Sequence, residues 1–144
     1  MIPGCRLHHV GWAVPGLQSA TQGFEKLGYV LEPTLPDTID ENFGVSLRFL
    51  RLSGHDCLVE LVQPVRGDSS VSSVIQRSGA GAYHLGYCVD DIAVATATLR
   101  AAAFRPTTAR MRAPALGMRE IQFFHRRDIG LIEIIQWPAT NLPA

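Results

Sequence analysis

Two stretches of the chain share one alternation of bulky and small residues. In LHHVGWAV (7–14), His8, Val10, Trp12 and Val14 fall on one face of an extended segment, and His9, Gly11 and Ala13 on the other. In AYHLGYCV (82–89), Tyr83, Leu85, Tyr87 and Val89 oppose His84, Gly86 and Cys88. A period of two is that of a half-buried strand, so the bulky faces are predicted to pack under a helix and the small faces to border a cavity. A turn (PGL or DDI) follows each strand, and then a helical pattern. Ala20, Phe24 and Leu27 form one apolar face ended by Gly28, while Val94, Ala97, Leu99 and Ala101 to Ala103 form an Ala-rich helix without a breaker. Further strands are predicted at VSLRFLRL (45–52), CLVELVQP (57–64), REIQFF (119–124) and GLIEIIQW (130–137), joined in pairs through SGHD and RRDIG.

The two patterns are a repeat. At a constant offset of 75, His9 falls on His84, Gly11 on Gly86, Val14 on Val89, Leu17 on Ile92 and Tyr29 on Phe104. Glu60 falls on Glu133 at an offset of 73, so the second copy has lost two residues in its loops. The expected organisation is an α+β chain with a single domain over 1–144. Its first βαβββ module runs over 5–64, a linker over 65–81 and a second module over 82–138. The linker is rich in Ser and Gly, and its Val71, Val74 and Ile75 predict a short docking helix.

Composition removes several classes of function. Lys plus Arg and Asp plus Glu are both 13, giving zero formal charge, and no basic run occurs, so no nucleic-acid partner is expected. No uncharged apolar stretch approaches the ~20 residues of a membrane helix, and no membrane association is expected. MIPGCRLHHV lacks a basic segment followed by a long apolar run, which points to a cytoplasmic protein. Cys5, Cys57 and Cys88 are odd in number and widely spaced, and are expected to be buried free thiols.

The candidate chemistry sits at the repeat-related positions. Glu60 and Glu133 are each the only charge in an apolar strand, LVELV and LIEII, where an unpaired carboxylate carries a desolvation cost of several kcal/mol. A buried carboxylate wants a cation. With His9 and His84 on the small-residue faces, the four supply an N/O donor set suited to a divalent ion: Co, Zn, Ni, Mn or Fe. His8, His55 and His125 are read as structural or exposed.

Over about residues 7–137 the chain resembles the vicinal oxygen chelate superfamily, the glyoxalase and bleomycin-resistance group. Within that group HHVGWAVPGLQSA, VELVQPVRGDSSVSSVIQRSGAGAYHLGYCVDDI and FFHRRDIGLIEIIQ are most similar to methylmalonyl-CoA epimerases and their relatives. The resemblance implies paired βαβββ modules forming a cupped, barrel-like mixed sheet with helices outside it. It also implies a homodimer and metal ligands at His9, Glu60, His84 and Glu133. The implied activity is epimerisation of an acyl thioester by proton abstraction α to a chelated carbonyl, with Glu133 as one catalytic carboxylate. Epimerases carry a further Glu two residues before the Gly-Val of the third strand. Here that position is Asn42, and Glu41, one residue earlier, is the candidate base by a loop shift. The same ligands serve a glyoxalase I-like lyase, and the fold also serves tailoring enzymes and binding proteins of secondary metabolism. Those readings remain the alternatives.

Overall fold

The computed structural model describes residues 1–141. The elements in chain order are β1 (Arg6–Ala13), α1 (Leu17–Glu25), β2 (Tyr29–Leu31), β3 (Thr38–Asp40), β4 (Val45–Leu52), β5 (Leu58–Pro64), α2 (Ser70–Ser78), β6 (Gly81–Val89), α3 (Ile92–Ala101), β7 (Arg105–Pro106), β8 (Met111–Ala113), β9 (Arg119–Arg126) and β10 (Gly130–Gln136). The strands form one curved, open, mixed sheet in the order β2-β4-β5-β1-β6-β10-β9-β7, with β3 added to β4 and β8 to β9. Each half reproduces the predicted module, with one extra short strand (β3 or β8) before the long hairpin.

The repeat is visible in the pairing. β1 and β6, the first strands of the two halves, run antiparallel down the middle of the sheet. Each is flanked by the last strand of its own half in parallel: β5 beside β1, and β10 beside β6. The four predicted ligand positions therefore lie on four adjacent strands, two from each half.

Helix starts are fixed in the same way in both halves. Gln63 at the end of β5 accepts a hydrogen bond from the Leu17 backbone N–H at 2.8 Å, and Gln136 at the end of β10 accepts one from Ile92 N–H at 2.6 Å. Each side chain satisfies a donor that the first helical turn leaves orphaned. In the second half Asp91 adds a side-chain cap to Ala93 and Val94 N–H, at 2.8 and 3.0 Å.

Three apolar clusters result. Trp12, Val14, Leu50, Val59 and Leu61 pack under Leu17, Ala20 and Phe24 of α1. Val89, Phe124, Ile132 and Ile134 pack under Ile92, Ala95 and Leu99 of α3. The third cluster lies on the other side of the sheet, among Val45, Leu47, Phe49, Val62, Ile121 and Ile135, with Val71, Val74 and Ile75 of α2 packed onto it. The linker thus provides the helix that lies over the inner surface. Phe49, Leu50, Leu61 and Phe124 are at most 1% exposed, and each such burial contributes roughly 1.5–3 kcal/mol.

Two expectations need correction. Leu27, assigned to the buried face of the first helix, lies beyond its end at Glu25 and is 69% exposed. All three cysteines are free thiols as expected, but only Cys88 is buried: Cys57 is half-buried and Cys5 exposed, because Cys5 precedes the first strand rather than lying within it.

Candidate metal centre

Strand parity holds for His9 and His84 and fails for the residue before each. The β1–β6 ladder slips between Leu7 and His9, and again where Gly11–Trp12 oppose His84 and Ala82. His8 and Tyr83 are therefore the extra, unpaired residues of two β-bulges, at positions related by the repeat offset of 75. A bulged residue leaves the alternation and re-aims its side chain. Neither joins the clusters under α1 and α3, where parity predicts it. His8 packs against Phe49 and Trp137 of the inner cluster, and Tyr83 lines the inner cavity beside His84.

The expected small-residue cradle is present, and it is reciprocal. Gly11 pairs across the ladder with His84, and His9 with Gly86. A Cβ built on Gly11 would stand 2.0 Å from His84 Nδ1, and one on Gly86 would stand 2.2 Å from His9 Cε1. Each imidazole thus lies flat over the backbone of the opposite strand, in the space where a side chain is missing. This places the two Nε2 atoms 2.9 Å apart, with both residues at most 4% exposed.

The two glutamates close the same point from the neighbouring strands. Glu60 Oε2 is 3.3 Å from both His9 Nε2 and His84 Nε2, and Glu133 Oε2 is 3.2 and 3.6 Å from them. One donor atom from each of the four residues falls within 4.8 Å of every other, and all four residues are buried. A divalent ion with bonds of about 2.1 Å holds its donors about 3.0 Å apart at right angles and about 3.4 Å apart in a tetrahedron. The imidazole–imidazole and imidazole–carboxylate separations, 2.9 to 3.6 Å, bracket those values, and the donor set is imidazole plus carboxylate, so the residues fit a divalent ion.

Without a cation the four groups must share protons. Burial alone would lower the pKa of His9, but the Glu60 and Glu133 carboxylates override it and hold it up at about 10. His84 is raised in the same way by hydrogen bonds to the two carboxylates. Both carboxylates are held below their ordinary range, against burial, by the imidazoles. His8 behaves oppositely: burial, then the charge of His9, pushes its pKa down to about 4.

A cavity of about 280 Å³ opens over the cluster, walled by Phe43, Val45, Leu47, Val62, Val71, Leu116, Ile121 and Phe123. Its polar lining is Ser70, Tyr83, Thr107 and Thr108, with Asp40, Glu60, His84 and Glu133 as the titratable groups beside Tyr83. No Lys or Arg lines it among the described residues.

Glu41, the base suggested by position, does not reach this cavity. It lies in the turn after β3, exposed, with its backbone carbonyl accepting from Arg66. The carboxylate of this segment that does reach it is that of Asp40, the last residue of β3, 3% exposed and paired across the ladder with Val45. Asp40 accepts from Asn42 N–H at 2.9 Å, yet its pKa is raised, chiefly by burial and further by the charge of Glu60. Sequence reasoning missed it because it counted back from Gly44. The available signal was the alternation in TID, which faces Asp40 opposite to the exposed Ile39.

The family model for the Glyoxalase/Bleomycin resistance protein/Dioxygenase superfamily matches residues 8–123, a span that includes His9, Glu60 and His84. Mitochondrial methylmalonyl-CoA epimerase of Mus musculus is 31% identical over 135 residues, covering 91% of this chain and 72% of the mouse protein. The crystal structure of methylmalonyl-CoA epimerase from Mycobacterium tuberculosis aligns with a TM-score of 0.79 at 26% identity, covering 90% of this chain and 85% of that one. A variant of the Streptomyces coelicolor methylmalonyl-CoA epimerase, solved in complex with 2-nitronate-propionyl-CoA, shares the fold with a TM-score of 0.81 at 23% identity, over 99% of this chain and 100% of that chain. The repeat, the sheet order and these likenesses agree over nearly the whole length, and the chain belongs to the glyoxalase/bleomycin resistance protein/dioxygenase superfamily.

Proposed function

We propose that the protein is a metal-dependent epimerase of an acyl thioester, exchanging the proton α to the thioester carbonyl. The observation that carries this reading is the placement of a four-donor N/O cluster and a third buried carboxylate, Asp40, in one otherwise apolar cavity. His9, Glu60, His84 and Glu133 would hold a divalent ion, and its charge would offset the negative charge that builds on the substrate carbonyl as the α-proton leaves.

The remaining work falls to the side chains. Inverting a carbon centre requires removing a proton from one face and returning one to the other, and hence two proton-carrying groups. Glu133 presents Oε2 to the two imidazoles and keeps a second oxygen to accept the α-proton. Asp40 reaches the cavity from a different strand, and burial raises its pKa, which favours its holding a proton more than an exposed carboxylate would. A lyase isomerising a hemithioacetal needs only one such carboxylate, so Asp40 favours the epimerase. Walls of Phe43, Leu116 and Phe123 exclude water from the developing charge. The cavity volume lies at the lower end of ligand pockets, ~300–1,000 Å³, which suits the acyl end of a thioester with its carrier outside. The epimerase likenesses support methylmalonyl-CoA as the first substrate to test. The test is wash-in of deuterium at its α-carbon in D₂O, followed by NMR with metal-loaded protein. Exchange no faster than with chelator-treated protein removes the proposal.

A further inference from the structure

The two imidazoles of the cluster are not held alike. Their Nε2 atoms face each other and the two carboxylates. On the far side, His9 Nδ1 meets His8 Nδ1 at 2.8 Å, whereas His84 Nδ1 is buried with no hydrogen-bond partner. The difference follows from what occupies the two bulges: an imidazole at His8 and a phenol ring at Tyr83, set edge-on to His84 with centroids 4.6 Å apart.

We infer that His8 is a positioning residue for the metal centre: its Nδ1 accepts the hydrogen bond that His9 Nδ1–H donates, which fixes the tautomer of His9 with the Nε2 lone pair turned to the cluster. The inference rests on the metal reading of that cluster. If His9 gives an electron pair from Nε2, its proton must sit on Nδ1, and Nδ1 then needs an acceptor because the ring is wholly buried. The nearest candidate is His8, and its ring is braced for the task. It tilts against Trp137 at 5.2 Å and meets Phe49 edge-on at 6.0 Å, while the Arg119 guanidinium lies 3.7 Å over the Trp137 ring. A free histidine at a strand surface would turn outward. Here the bulge turns it inward and the aromatic wall holds it there.

The experiment measures Co²⁺ affinity by competition with a chromophoric chelator, in wild type, His8→Phe and His8→Asn. Phe keeps the ring and removes the acceptor, whereas Asn removes the ring and places Oδ1 where Nδ1 stood. Loss of an outer partner of a ligand imidazole typically weakens binding by ~10–100-fold, so that loss is expected in His8→Phe, with His8→Asn within about threefold of wild type. Pulsed EPR of the Cu²⁺-loaded proteins reads the remote nitrogen of each ligand imidazole. It should show one altered coupling in His8→Phe that returns in His8→Asn, a signature that loose packing alone does not produce. Circular dichroism confirms that each variant is folded. Wild-type affinity in His8→Phe, or a folded His8→Asn as weak as His8→Phe, overturns the inference while leaving the metal centre standing. A wild type that binds no Co²⁺ overturns the metal reading itself, and this inference with it.

Discussion

Gly86→Ala is a single methyl group aimed at the metal centre. Its Cβ would stand 2.2 Å from His9 Cε1 and 2.6 Å from both ring nitrogens, where ordinary contact begins at 3.4 Å. One of the two groups must therefore yield by at least 3.4 − 2.2 = 1.2 Å. Gly86 is held on both sides, by β1 and by Glu133 of β10, so the strand cannot retreat. The His9 ring has no exposed surface, and Nδ1 is tied to His8, so the ring has no vacant space to enter. A metal–nitrogen bond tolerates about 0.2 Å, so a displacement of this size removes His9 as a ligand. The affinity loss should exceed the ~10–100-fold typical of disturbing an outer partner. The fold should survive, since overpacking costs roughly 1–3 kcal/mol, equivalent to a melting temperature lower by roughly 3–9 °C. Gly23→Ala is the control: nothing lies within 4 Å of its Cβ, and a helix-interior Gly→Ala exchange stabilises by roughly 0.5–1 kcal/mol. The assay is Co²⁺ or Zn²⁺ titration alongside a thermal melt of the metal-free protein. Wild-type affinity in Gly86→Ala, or an equal loss in Gly23→Ala, refutes the geometry.

Metal binding should release protons, because His9 is charged in the metal-free protein at pH 7 and His84 is raised in the same direction. Calorimetry at pH 7 in buffers of different ionisation enthalpy should give about one to two protons per ion, and no buffer dependence would contradict the charge assignment. The same shift sets the alkaline stability of the metal-free protein. With its folded pKa raised from 6.5 to about 10, His9 contributes stability that is fully present below pH 6.5 and is lost as pH rises through about 10. Melts in chelator from pH 6 to 10 should fall accordingly, and the metal-loaded protein should lack that component. Asp40→Asn should lower epimerisation by ~10²–10⁴-fold while α-proton exchange persists for one epimer, and Glu41→Gln should leave both intact. Equal activity of the two variants would return the second proton carrier to an unknown group.

What the sequence made legible is what the repeat encodes. An offset shared by His9 and His84, and another shared by Glu60 and Glu133, requires only that two modules fold alike and meet about an axis, and β1 against β6 is that meeting. Gly11 and Gly86 were readable as space for the same reason, although which imidazole fills which space depends on cross-strand register, which no single strand carries. His8, Tyr83 and Asp40 lie where a period breaks. The turn after β3 makes counting from Gly44 an unsafe guide to Asp40 and Glu41, and the bulges end strict alternation at His8 and Tyr83. A bulge is a property of a pair of strands, so inspecting one strand reveals nothing of it. The repeat nonetheless held a hint, since the positions before both histidines carry rings, and neither ring follows the parity of Val10 or Leu85. That equivalence gives the bulges a physical role. A slip in the ladder beside each ligand brings a second ring to the cavity side of the sheet, so one β-strand can present two consecutive side chains to one site. On an unbroken strand the doublet at 8 and 9 would be divided between opposite faces, and His9 would have to hold its tautomer without a neighbour.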